Sequence, residues 1–359
     1  MKSDGIYIVA ILSLASTVAF ADEVTTSSLA VKGKVRIDSI QFSEDSRMND
    51  GPKETTKRSK LDLNVAEIKF VGQLPNGSLD LIYFAHNNTL DTATITHQIG
   101  ENLSVVAGKM YLLTQGWESD YDPYDQYIFS LAGNLAPTQA ENGAQINLIF
   151  GDHTFSAQAL QGNHSLITSD NKEVTFENNG GLSTALQYRG VFYGGIKPIF
   201  TYSLVRTSSS KGSDGHNYGD GYQSQIGAGV QLVYGNMFLD AEWLTVKKLK
   251  FKNEPSADNK DTDYSSLVFQ AKSFTSHVTP IFKITLDQMK TGMNQSQIDS
   301  GAVGNLVGTQ YAIGLERMLD KSCRLHAVYS VDSTSQKIAA NKTKTVNKYQ
   351  INLGVTASI

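Results

Sequence analysis

The sequence is poor in the features that usually staple an exported chain or thread it through a membrane as a helix. It has a single cysteine, Cys323, so no intramolecular disulfide can form, and the paired Cys or Cys/His spacings of a zinc site are missing. Proline is scarce at seven residues while glycine is plentiful at 30. Beyond the N-terminus no apolar run approaches the roughly 18 residues that a membrane-crossing helix needs. The formal net charge is only −4 and no Lys/Arg-rich run occurs, which removes the electrostatic case for nucleic acid as a partner. No cofactor motif is evident, and none is expected.

What the chain does have begins at its start. Lys2 precedes an apolar run from Ile6 to Phe20, which closes on Ala19-Phe20-Ala21 before Asp22. This is the layout of a cleaved signal peptide, residues 1–21, with no cysteine after it to accept a lipid anchor. Length alone would allow residues 22–359 to be two soluble domains. Composition favours one large sandwich or barrel.

From Leu29 onward the hydrophobic period is two. In "KYQINLGVTASI" the residues Tyr349, Ile351, Leu353 and Val355 share one face and Lys348, Gln350, Asn352 and Thr356 the other. "IFKITLDQ" sets Phe282, Ile284 and Leu286 against Lys283, Thr285 and Asp287, and the first strand sets Val31, Val35 and Ile37 against Lys32, Lys34, Arg36 and Asp38. Such alternation makes the fold class all-β. A sandwich would turn the polar face to bulk water; an outer-membrane barrel would turn it to the lumen and the apolar face to lipid.

The connections separate these readings. Tight turns are expected at 75–77, 100–102, 151–152, 235–236 and 320–322, and longer polar loops near 43–59, 87–91, 112–142, 162–179, 208–221, 252–262, 291–307 and 336–344. Short turns alternating with long loops is the layout of a transmembrane antiparallel β-barrel. The strands between them number about sixteen: 29–42, 60–71, 79–86, 92–99, 103–111, 143–150, 153–161, 181–190, 196–207, 222–234, 237–251, 263–274, 280–290, 308–319, 324–335 and 345–358. In "LDLNVAEIKF" the apolar set changes face between Val65 and Ile68, which calls for a bulge or an early strand end.

One stretch, "LSVVAGKMYLLTQGWESDYDPYDQYIFS", puts Lys109 at the end of a strand and then Glu118, Asp120, Asp122 and Asp125 among aromatics. Three chemistries compete for it. Calcium would use the clustered oxygens, although the spacing is not that of an EF-hand loop. An acid/base site would need a partner geometry that spacing does not supply, and neither "GNHS" at 162–165 nor His86, His97 or His326 is marked as special. The third reading is the throat of a pore.

Here the sequence resembles the Gram-negative general diffusion porins. A signal peptide, about sixteen strands, and a fifth strand ending Gly108-Lys109 before a long acidic and aromatic loop are similar to that family. "ENGAQINLIFGDHTFSAQAL" looks like its sixth strand, tight turn and seventh strand. The resemblance implies a third loop, within 112–142, folded into the barrel lumen, with Lys109 facing Glu118, Asp120, Asp122 and Asp125 across a constriction. It also implies pore-lining Lys32, Lys34, Arg36 and Lys60, a location in the cell outer membrane among lipid and lipopolysaccharide, a homotrimer, and passage of small hydrophilic solutes and ions. Local parity disagrees at one point: Leu103, Val105 and Ala107 alternate into Lys109 as a lipid-facing set would. The chain also departs from the family at Glu141-Asn142, where an arginine often stands, and at its last residue, Ile359, where Phe or Trp is usual. Trp243, Tyr202, Tyr311, Tyr329 and Tyr349 are candidates for interface girdles. A solute-selective porin for oligosaccharide or phosphate, using Tyr121, Tyr124 and Tyr127, and a secreted β-rich binding protein remain as alternatives, whereas an enzyme is not expected.

Overall fold

The computed structural model describes residues 28–49, 51–114, 116–120, 129–135, 140–162, 166–167, 173–174, 181–207, 221–248, 262–275, 278–291, 304–339 and 342–358. The expected signal peptide, Asp122, Asp125, Tyr121, Tyr124, Tyr127, His164 and Ile359 lie outside them.

In chain order the strands are β1 (Leu29–Met48), β2 (Glu54–Leu74), β3 (Gly77–Phe84), β4 (Thr89–Gln98), β5 (Leu103–Met110), β6 (Glu141–Phe150), β7 (His153–Gly162), β8 (Leu166–Ile167) and β9 (Glu173–Val174). They continue as β10 (Gly181–Gly190), β11 (Ile196–Thr207), β12 (Gly221–Tyr234), β13 (Met237–Lys248), β14 (Thr262–Ser273), β15 (Thr279–Thr291), β16 (Leu306–Met318), β17 (Cys323–Ala339) and β18 (Lys342–Ser358). β8 and β9 form a separate two-stranded ladder. The other sixteen pair antiparallel, each with its neighbour, and β1 closes on β18. The all-β fold class and the expected sixteen strands are thus met by one closed barrel.

Burial shows which face points where. Val35 and Ile37 are exposed while Arg36 and Asp38 between them are buried, and along β15 Phe282 and Leu286 are exposed while Lys283, Thr285 and Asp287 are buried. A water-soluble core would show the reverse. An apolar outside around a polar inside is the pattern of a barrel whose solvent is lipid, where closure leaves no unpaired edge in the hydrocarbon.

The expected bulge is at Asn64: Arg36 pairs with Val65 but Ile37 with Leu63. The extra residue returns the apolar positions to the outer face, with Leu61 and Leu63 outward below it in sequence and Ile68 outward after it, and Val65 fully buried. Two expected loops are corrected. Residues 43–59 and 336–344 are mostly strand, since β1 and β2 stay paired out to Ser46 and Glu54, and β17 and β18 out to Ala339 and Lys342. Their hydrophobic alternation vanishes there because water meets both faces, so a strand reads in sequence as a polar loop.

Candidate constriction

The segment that follows β5 leaves a strand that has a constrained residue two positions before its end. Gly108 has φ 133°, and a Cβ there would stand 2.1 Å from the Ala93 carbonyl oxygen; an L side chain would be both strained and blocked. Past it, Met110 and Leu112 pack with Leu160, Ala185 and Val205. The Leu113 N–H donates to Gln158 Oε1 at 2.8 Å and Gln158 Nε2 donates back to the Tyr111 carbonyl at 2.9 Å. The chain therefore leaves β5 across the polar face of β7 instead of rising as a hairpin.

It is then held by carboxylates on β13 and β15. Glu242 accepts the N–H of Gly116 at 2.6 Å and that of Glu118 at 2.8 Å, one on each oxygen. A side chain at position 116 would meet that carboxylate, since its Cβ would lie 2.5 Å from Glu242 Oε1. Trp117–Asp120 makes a single 3-10 turn, with the Arg189 guanidinium 5.6 Å from the Trp117 ring centre. On the return, the Leu131 N–H donates to Asp287 Oδ1 at 2.9 Å and the Ala132 N–H to Ser266 Oγ at 3.0 Å. Gln223 and Gln225 both donate to the Leu135 carbonyl. Beneath the segment Ala132 joins Leu244, Val246, Tyr264, Val268 and Met289 in an apolar cluster.

At the centre is Glu118, 2 % exposed. Its carboxylate accepts Lys283 Nζ at 2.7 Å, the Ser130 N–H at 2.9 Å and the Ser130 hydroxyl at 2.5 Å. A desolvated, hydrogen-bonded ion pair is geometrically specific, and breaking it by removing one partner costs about 3–5 kcal/mol. Three carboxylates, those of Glu118, Glu242 and Asp287, thus fix this segment, and Lys283 meets Glu118 directly.

The expected residues are distributed differently from the expectation. Lys109 pairs across Ala93 and Asn142 on the parity of exposed Ile95 and Ala107, and its ammonium donates to the Leu90 carbonyl. The cation that meets Glu118 is Lys283, so parity, not the Gly-Lys motif, describes Lys109. Asp120 lies in the 3-10 turn. Lys32, Lys34, Arg36 and Lys60 all share the face of buried Asp38. That stripe is internally paired: Arg36 Nε donates to Asp38 Oδ2 at 2.8 Å, and Lys60 is bonded to Asp62.

Sequence reasoning placed Lys283 and Asp287 on a polar strand face without giving them a role, and missed Glu242. It also missed the meeting of Asp38 with His326, whose Nε2 donates to Asp38 Oδ1 at 2.7 Å. Both are paired in register with Gly354, which lies between them. A Cβ on Gly354 would stand 2.1 Å from Asp38 Oδ1 and 2.5 Å from the His326 ring. The gap at Gly354 is what lets β1 and β17 touch over β18.

No protein-family model matches the chain, and no curated protein sequence does. Solved structures do. The outer membrane channel DcaP of Acinetobacter baumannii superposes with TM-score 0.64 at 12 % identity, covering 94 % of this chain and 99 % of that one. An anion-selective porin from Comamonas acidovorans gives 0.61 at 13 %, over 93 % and 100 %. The trimer form of OmpT, an outer membrane protein of Vibrio cholerae, gives 0.59 at 12 %, over 93 % and 100 %. At such identities the likeness concerns the fold, and the fold is that of the Gram-negative porins.

Proposed function

We propose that the chain is a passive, water-filled channel of the outer membrane for small hydrophilic solutes and ions, narrowed by the segment 112–135. The observation that carries this reading is the pairing of loop Glu118 with wall Lys283, with Glu242 and Asp287 holding the loop backbone on either side. A lumen-facing polar wall supplies the water path, and a segment lying across β12 to β15 narrows it.

Selectivity then follows from charge placement. From 112 to 142 the chain carries Glu118, Asp120, Asp122, Asp125 and Glu141 and no Lys or Arg. With Lys283 committed to Glu118, the acidic excess penalises anions and gives a modest preference for cations. No bond is made or broken, so no nucleophile or general base is assigned and the chain is read as a non-enzyme. Residues 1–21 serve as the export signal. The apolar outer wall meets lipid and lipopolysaccharide and packs in a homotrimer with one pore per subunit.

Single-channel recording of the purified barrel in a planar bilayer under a salt gradient tests this. Stepwise conductance with a reversal potential on the cation side is expected. An intact barrel that carries no current would sink the proposal, and anion preference would move control of the throat from the loop carboxylates to the stripe Lys32, Lys34 and Arg36.

A further inference from the structure

β1 and β2 are the longest strands at 20 and 21 residues, yet β3 beside them has 8. β2 pairs with β3 only from Glu67 to Leu74, while its pairing with β1 runs on to Glu54. The last tie on the β3 side is at Ala66, whose N–H donates to His86 Nδ1 and whose carbonyl accepts the Ala85 N–H. Beyond that point, among the described residues, β2 has a backbone partner on one side only.

From Leu61 toward Thr55 this open edge stands in water. The outward residues of β1 change from exposed Val35 and Ile37 to Ser39, Gln41, Ser43, Asp45 and Arg47, and those of β2 from Leu63 and Leu61 to Ser59, Lys57 and Thr55. An open edge is excluded within hydrocarbon, but above it a row of free N–H and C=O groups is a template for an added strand. On one strand, residues with outward side chains all turn their backbone groups to the same side. Ala66 is outward and turns its groups toward β3, so Thr55, Lys57, Ser59, Leu61 and Leu63 present theirs to the open side. Leu61 is 77 % exposed.

Charge selects the occupant. Lys57, Arg58 and Lys60 sit mid-edge, and the acids Glu54 and Asp62 lie at its ends, the latter bonded to Lys60. A second copy of the edge laid antiparallel would set these cations against one another, which is destabilising. We propose that Thr55 to Leu61 is a docking edge that takes an extended, acidic polypeptide segment of another protein as an additional antiparallel strand.

The test is fluorescence anisotropy of the full barrel in detergent with a labelled peptide of about ten residues alternating Glu and Val, long enough to cover the edge. Saturable binding is expected, at least about tenfold tighter than for the matching Lys/Val peptide, and weakened about tenfold by Ser59→Pro, which deletes an N–H on the open side without touching the β1 ladder. Lys57→Glu with Arg58→Glu should reverse the peptide preference. Unchanged single-channel conductance of each variant certifies an intact barrel. Equal binding of both peptides, binding indifferent to Ser59→Pro, or association with phosphatidylglycerol vesicles and not with peptide would each overturn the proposal.

Discussion

Two buried ionic clusters stand on the polar face of this barrel, and they are built for different tasks. Glu118–Lys283 joins a loop to the wall, its partners 165 positions apart in sequence. Arg36–Asp38–His326 joins three neighbouring strands, β1, β18 and β17, at the point where the barrel closes. In the first, Lys283 on the wall and Ser130 on the loop both donate to Glu118 and none of these bonds belongs to the strand ladder, so the pair can be lost without opening the sheet. In the second, the side chains reach over Gly354 on β18, the strand through which the chain's last segment closes on its first. A buried charge pair therefore serves position in one place and closure in the other.

Gly354→Val breaks the second cluster and should have the largest effect. The added Cβ has no room between Asp38 and His326, so the pair separates and the buried carboxylate keeps Arg36 but loses the His326 N–H, a loss of about 3–5 kcal/mol. Denaturant unfolding of the detergent-solubilised barrel reads this directly. The fraction that does fold should conduct like the parent, because the loop cluster is untouched; a variant as stable as the parent would remove the closure role from the comparison.

Lys283→Met breaks the first cluster and should do the opposite. All sixteen barrel pairings remain and Glu118 keeps both Ser130 donors, so global unfolding moves less than for Gly354→Val. Loss of the ammonium raises the net negative charge of the throat, and the reversal potential should shift further to the cation side with noisier open-channel current. An unchanged reversal potential would mean that this pair lies away from the conducting path.

These two sites also show what was legible beforehand. The barrel could be read because a strand with lipid on one side and water on the other must alternate, as in Phe282/Lys283/Ile284/Thr285. Where both sides are wet, as from Ser43 to Met48, the same conformation left no pattern and a loop was expected. Glu118 could be singled out by its place after Gly108-Lys109. Its partner could not, because Lys283 reaches it through closure of the sheet and not through sequence spacing. Lys109 was a conflict between motif and parity, and the register of β4, β5 and β6 resolves it for parity. Gly354 was unremarkable in "KYQINLGVTASI" until its two neighbours in register were known.

Glu242→Gln sharpens the loop side further with a smaller effect. Glu242 accepts two N–H groups, and an amide in its place can accept only through one oxygen, leaving an NH2 facing either Gly116 or Glu118. The mismatch costs on the order of 1–3 kcal/mol locally. It should appear as faster hydrogen exchange at the Gly116 and Glu118 amides, with the exchange of β1, β17 and β18 unchanged. Equal acceleration in those three strands would show that the two clusters are energetically one.

The smallest effect expected lies at the short turn after β16, outside the membrane, where Asp320 accepts the N–H and hydroxyl of Ser322 at 2.7 and 2.8 Å and the N–H of Cys323 at 2.8 Å. The Ser322 backbone N–H and then its hydroxyl hold this carboxyl below the ordinary carboxylate value of 3.8. Because the folded value is the lower one, the turn's contribution is complete above that ordinary value and disappears as pH falls through the folded value. The thermal midpoint of Asp320→Ala should therefore lie slightly below that of the parent at neutral pH and converge on it in acid. Because β17 begins where this turn ends, the measurement also asks whether the seam strands are sensitive to their connections or only to the cluster that crosses them: convergence without any change in the Gly354→Val penalty assigns the closure energy to Asp38 and His326 alone.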